Sequence, residues 1–163
     1  MKRDARLGLA VASADLQPLA LVVAPDAATR ASLESKVAAL AWTREMRGRF
    51  AYASVAGAGN LRLTGGSGLK SGVILIEPDL FGVRGVVVKE VAAADVDVKL
   101  AAAMRDTIAA HQPPGKSREQ LRRLALQQGT FFETGIPVSG KKEAEDREKF
   151  RKQIDTVRKT GSV

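Results

Sequence analysis

The 163-residue chain has no cysteine, one histidine and few aromatic side chains, 4% of the total. Each shortage removes a class of chemistry. Without cysteine there is no disulfide, no thiolate nucleophile and no thiolate metal site. This leaves the compartment open, because a thiol-free chain is indifferent to redox conditions. His111 stands alone at a predicted helix end, where a cationic side chain is ordinary, so neither a histidine metal set nor a base beside a nucleophile elbow can be assembled from the sequence. We expect no metal and no cofactor. No run approaches the roughly 20 apolar residues that span a bilayer.

The start, "MKRDARLGLAVASADL", resembles a secretory signal in its basic beginning and small residues. Its apolar part, Leu7 to Ala12, is shorter than the usual stretch of about 7 to 15 residues, and Asp4 interrupts the basic end. Residues 1–15 are therefore read as an N-terminal arm. Cytoplasmic residence is the expectation, with a periplasmic or exported mature chain as the alternative.

A hydrophobic content of 45% supports one well-filled core with an appendage. The net charge of +8 and 26 basic against 18 acidic residues raise a nucleic-acid reading. The basic residues are spread out: 14 against 11 acids in residues 1–110, 4 against 2 in 111–139, and 8 against 5 in 140–163. Interleaving of this kind describes a solvated surface better than a phosphate groove.

The stretch from Leu16 to Val23 predicts a strand, with Pro18 near its start where a missing donor is tolerated. Asp26 is placed to cap the following helix, whose stripe is Leu33, Val37, Leu40 and Ala41 and whose end is expected at Gly48. "RFAYASV" (49–55) reads as a second strand, with Trp42 and Phe50 as core or near-core aromatics. The glycine-rich passage 56–72 cannot be a good helix and is expected as a loop around a short strand at Leu61 to Leu63. "VILIE" (73–77) and "VVVKEV" (86–91) are separated by eight residues, which suits an antiparallel hairpin. Asp95 or Asp97 caps a last helix with Leu100, Ala103, Met104, Thr107 and Ile108 on its stripe, ending before Pro113-Pro114. Ser117 and Gln120 make a capping box for a short helix.

Two motifs have plainer readings. Asp26, Glu77 and Asp79 could be grouped as an acidic metal cluster, but a helix cap and a Pro78-Asp79 turn account for them. "GGSGLKSG" offers glycines, Lys70 and Ser71, yet it lacks the phosphate-loop spacing and a strand follows it.

The strand "LALVV", the Ala24-Pro25 turn, the long helix, the strand at 49–55, the glycine-rich passage, the hairpin and the closing helix together resemble the thioredoxin fold. The fold class is then α/β, β-α-β followed by β-β-α, a mixed central sheet flanked by helices. The resemblance covers residues 16–111. It implies that Ala27 and Arg30 occupy the places of the two catalytic thiols and that Ser71-Gly72 precede the hairpin strand where the family has its cis-proline. Thiol exchange needs a thiolate and a second sulfur, so the resemblance implies a redox-inactive member that is not an enzyme. What survives is a binding groove between helix mouth and pre-hairpin loop, with Ala27, Thr29, Arg30 and Gly72 at its vestigial positions. "LVVAPDAATRASL" and "VILIEPDLFGVRG" also resemble response-regulator receivers, with Glu77 in the phosphoacceptor place, but no room is left for the helices around that strand.

Residues 112–163 are read as a C-terminal helical extension. Phe131, Phe132 and Ile136 are apolar in a loop-like setting, and the charged helix beyond Gly140 has only Phe150, Ile154 and Val157 on its stripe. Such a stripe is too narrow for a core helix, so these six residues are partner-contact candidates. The functional expectation is a non-catalytic, thioredoxin-like accessory or scaffolding subunit that binds other proteins in a larger bacterial-type assembly. The alternatives are a basic nucleic-acid or ribonucleoprotein-associated module and a degenerate receiver-like signalling domain.

Overall fold

Five consecutive apolar residues, Leu19–Val23, form strand β1, and all five are buried. A strand buried on both faces sits in the middle of a sheet with a layer on either side, and the rest of the chain supplies those layers. A computed structural model describes residues 1–127 other than 60, 67, 114 and 116, together with residues 141, 142, 145, 148, 149 and 152. The element order is α1 (Ala5–Ala14), β1, α2 (Ala27–Ala41), β2 (Ala51–Val55), β3 (Arg62–Thr64), β4 (Gly72–Pro78), β5 (Arg84–Ala92), a 3-10 turn (Ala93–Asp95), α3 (Val96–Ala110) and α4 (Arg118–Gln127). The strands form one sheet in the order β2-β1-β4-β5-β3. Strand β1 runs parallel to β2 and antiparallel to β4, β4 is antiparallel to β5, and β3 is parallel to β5.

The chain is thus mixed α/β, with β-α-β and then β-β-α among its elements. The expected hairpin and the short strand inside the glycine-rich passage are both present. The antiparallel pairing of β1 with β4 does not fit a receiver, which needs a parallel, doubly wound sheet. Residues Ala20, Val22, Val73 and Leu75 face α2 and α3, where they pack with Leu33, Val37, Leu100 and Met104. Leu19, Leu21, Ile74 and Ile76 face the other way, toward α1 and the glycine-rich passage.

Of residues 1–15, expected as an N-terminal arm, helix α1 belongs to the core. Helix α1 starts at the Asp4 cap, which accepts from the Arg6 and Leu7 amides at 2.8 and 3.3 Å, and it buries Ala5, Leu9, Val11 and Ala12. A Cβ at Gly8 would lie 2.6 Å from the Ala53 Cβ, so glycine is what lets α1 approach β2 so closely. Lys2 donates its amide to Tyr52 O at 3.0 Å and accepts from the Ser54 amide at 2.8 Å, which covers part of the outer edge of β2.

Other boundaries moved for identifiable reasons. Leu16 does not open β1; it holds a positive φ of 56° in the turn that closes α1, where Gln17 N bonds Ala12 O at 2.9 Å. Helix α2 ends at Ala41 and not at Gly48, because residues 42–49 fold into tight turns that bury Met46. Met46 and Phe50 fill that end of the core, and Trp42 is left 73% exposed. Asp95 makes no side-chain cap bond to α3; the 3-10 turn leads into the helix, and Asp95 pairs with Lys99 at 3.0 Å. The capping box of α4 is formed, Gln120 N to Ser117 Oγ at 3.2 Å and Ser117 N to Gln120 Oε1 at 2.8 Å.

Polar ties cross between layers. Glu34 on α2 accepts from Ser54 Oγ of β2 at 2.5 Å and pairs with Arg3. Burial alone would raise its carboxyl, but the hydrogen bonds from Ser54 and Arg3, with the charges of Arg3 and Arg30, outweigh it and hold Glu34 below its ordinary value. A depressed carboxylate stabilises the fold above its unfolded pKa of about 4.3, and that contribution is lost as pH falls through the lower folded value. Acid titration of Glu34→Gln followed by circular dichroism should show a smaller loss of stability below that pH than the parent chain, and denaturant unfolding at neutral pH a deficit of about 1 kcal/mol. Tyr52 presents the opposite case: its hydroxyl is buried with no hydrogen-bond partner among the described residues, and burial pushes its pKa up to about 12. The neutral phenol is favoured in the fold, so its contribution is complete below an unfolded pKa of about 10 and is lost as pH rises toward the folded value. Tyr52→Phe should leave neutral-pH stability equal or slightly raised and flatten this alkaline loss, read as the unfolding midpoint against pH.

Candidate functional site

Strand β1 delivers Ala24, Pro25 and Asp26 to the mouth of α2. Asp26 Oδ2 accepts from Thr29 N at 2.6 Å, the expected cap, and hydrogen bonds from Thr29 hold its carboxyl below the usual range. Arg30 folds back and donates from Nη1 to Ala24 O at 2.8 Å, so its guanidinium braces the strand-to-helix turn. Ala27 and Thr29 lie exposed on the first turn of α2. Gly72 opens β4 directly opposite Val23. Its φ is 148°, and a Cβ there would fall 2.1 Å from Val91 O, so only glycine fits the position. The structure therefore brings Gly72 to the end of β1 from which the helix mouth emerges. Of the vestigial positions, Thr29 and Arg30 have structural duties, and neither they nor Ala27 line the cavity nearby.

That cavity, of about 540 Å³, lies on the α1 side of the sheet at the same end. Helix α1 covers Leu19, Leu21 and Ile76 but leaves Val23, Ile74 and Val87 to the glycine-rich passage. Because β2 and β3 lie at opposite edges of the sheet, the chain between them has to cross this face. Its leucines Leu61, Leu63 and Leu69 pack toward the sheet, and the glycines between them leave the space that side chains would otherwise fill. Pro25 of the helix mouth and Leu69-Lys70 of the pre-hairpin loop both line the cavity. Lys70 and Glu90 are the only ionisable lining residues among those described. An apolar pocket with one cation and one anion can hold an apolar side chain or short segment; its described lining includes no hydroxyl or thiol.

A second cavity, of about 310 Å³, lies at the other end of β1 and brings together Ser13, Glu77 and His111. His111 Nδ1 is 2.8 Å from Glu77 Oε1, and Nε2 is 3.0 Å from Leu16 O. A carbonyl oxygen only accepts, so Nε2 is the donor to Leu16 O, while Nδ1 lies against the Glu77 carboxylate, and the three groups form a clasp. Ser13 Oγ donates to Leu80 O at 2.9 Å, away from the ring. Three residue types of a hydrolytic triad thus share a cavity without the hydrogen bonds of one. The clasp ties the end of α3 to β4 and to the α1–β1 turn. Sequence reasoning missed it because 34 and 95 residues separate His111 from its partners, and no local pattern links them.

The acidic cluster does not form: Asp26 and Glu77 lie at opposite ends of the sheet, and Asp79 accepts from the Val83 amide at 2.8 Å to close the hairpin turn. Phe131, Phe132, Ile136, Phe150, Ile154 and Val157 lie outside the described residues. Among the described residues, no helix is long and apolar enough to cross a membrane. Comparison with known proteins finds no matching family model, no matching curated protein and no matching solved structure.

The clasp has a measurable weight. His111→Ala leaves a part-buried carboxylate and the Leu16 carbonyl without their partner and should lower unfolding free energy by about 2 kcal/mol, seen as a lower urea midpoint with unchanged slope. A substitution with no effect would show that the clasp is not holding the α1–β1 turn.

Proposed function

We propose that this chain is a redox-inactive, thioredoxin-like accessory or scaffolding subunit that binds other proteins in a larger assembly and catalyses no reaction of its own. The order of elements supports the thioredoxin-like reading, with α1 ahead of β1 and β3 at the far edge as additions to that layout. Ala27 and Arg30 stand where the resemblance places thiols, and the sequence has no cysteine to replace them. The observation that carries the proposal is the apolar cleft between Pro25 and Leu69-Lys70, at the corner where the resemblance implies a substrate groove. A groove that keeps apolar walls and lacks reagents is suited to holding a partner's side chain.

The test is capture of partners from a lysate of the host cell by the full chain and by Leu69→Asp, with circular dichroism to confirm that the variant folds. A partner retained by the parent and lost with Leu69→Asp is the expected result. Equal capture by both would remove the cleft from the interface, and a chain that stays monomeric and captures nothing would overturn the accessory role.

A further inference from the structure

Tryptophan carries a large apolar surface that is normally covered, yet the one tryptophan of this chain is 73% exposed. The segment that presents it is held firmly. Thr43 N bonds Leu40 O at 3.0 Å, Arg47 N bonds Thr43 O at 3.0 Å and Arg49 N bonds Met46 O at 3.1 Å. The Met46 side chain is 1% exposed, and Gln17 Nε2 donates to Gly48 O at 2.7 Å. The indole therefore projects from a braced turn.

Its turn carries three arginines and one acid. Arg44, Arg47 and Arg49 are exposed on the same turn, and Arg47 Nη2 donates to the Trp42 carbonyl at 3.3 Å, which brings its guanidinium beside the indole's own backbone. The only acid between residues 42 and 50, Glu45, is paired with Arg105 of α3 at 3.5 Å. Arg44 and Arg49 form no ion pair with a described residue. The turn thus presents three exposed arginines beside an open aromatic side chain, and its own carboxylate is matched by Arg105.

We propose that Trp42 with Arg44, Arg47 and Arg49 forms a contact site for single-stranded nucleic acid, the indole stacking on a base and the guanidinium groups meeting phosphates. Bases of every kind present a flat π-face and a phosphate accepts two parallel guanidinium bonds, so an aromatic interleaved with arginine is matched to this ligand. A convex turn favours it over an acidic peptide: a base can lie flat on an exposed ring, whereas a peptide contact gains most when the aromatic is enclosed. The site lies at the opposite end of β1 from the apolar cleft, since Gln17 and Pro18 contact the turn and β2 while Pro25 lines the cleft. It is independent of the protein-binding proposal.

Because the chain has one tryptophan, its own fluorescence reports the site. The full chain titrated with short oligo-dT and oligo-U at about 50 mM salt should show saturable quenching with at least one of them, and affinity should fall with a log-log salt slope of about −2, at about −0.7 per phosphate engaged. In anisotropy measurements with the end-labelled oligonucleotide, Trp42→Ala should weaken binding about tenfold or more with the slope retained. Arg44→Ala, Arg47→Ala and Arg49→Ala should each flatten the slope by about 0.7 while quenching persists. All four side chains are exposed, and far-UV circular dichroism verifies the fold of each variant. Absence of both quenching and anisotropy change with either oligonucleotide overturns the proposal, as does unchanged binding by Trp42→Ala. A poly-glutamate peptide of equal charge that binds as tightly also overturns it and assigns the turn to an acidic protein.

Discussion

Everything in this fold follows from the burial of β1 on both faces. Leu19, Leu21 and Val23 point one way and Ala20 and Val22 the other, and each of the five is at most 1% exposed. A buried leucine or valine contributes about 1.5 to 3 kcal/mol only while water is kept from it, so neither face can be left open. Helices α2 and α3 close one face. The other is closed by α1 and by the glycine-rich passage, and this division of labour places the cleft. Where a regular helix covers the sheet the packing is complete; where a leucine-bearing, glycine-spaced loop covers it, space remains.

The two ends of β1 have different characters as a result. At its carboxyl end, strand β4 must approach through a glycine, and the turn into α2 is braced by Asp26 and Arg30. The polar groups there are occupied in holding the turn, and the walls of the cleft are largely apolar. At its amino end, polar ties dominate. His111, Glu77 and the Leu16 carbonyl join α3, β4 and the α1–β1 turn, and Gln17 holds the turn that carries Trp42. The α2 side of the sheet is tied in the same way by Glu34, which spans Arg3 and Ser54. A chain with few aromatics uses its only tryptophan outside the core, and Met46 and Phe50 complete the packing in its place.

Local features were readable in the sequence. The Asp26 cap, the Ser117–Gln120 capping box, the hairpin of β4 and β5 and the short strand in the glycine-rich passage depend on residues a few positions apart, and their chemistry is the same in any context. The neighbourhood of the helix mouth was legible only in part. Gly72 does stand beside Val23, but Arg30 turned out to brace the Ala24 carbonyl, and the pocket is walled by Pro25, Leu69 and the sheet. The helical stripe of α2 was legible too, although its end was not, because burial of Met46 competes with continuation of the helix.

By itself the sequence determined the strand-and-helix order from β1 to α3 and the exclusion of thiol chemistry, since period, capping and the presence of sulfur are properties of short stretches or of composition. Tertiary structure alone decided that residues 5–14 are a core helix, that Trp42 faces outward and that His111 meets Glu77 and Leu16. Each of these depends on which surfaces meet across the sheet. A short helix at the start of a chain is arm or core layer according to whether a strand is set against its face. An aromatic side chain is inside or outside according to which neighbours have already filled the core.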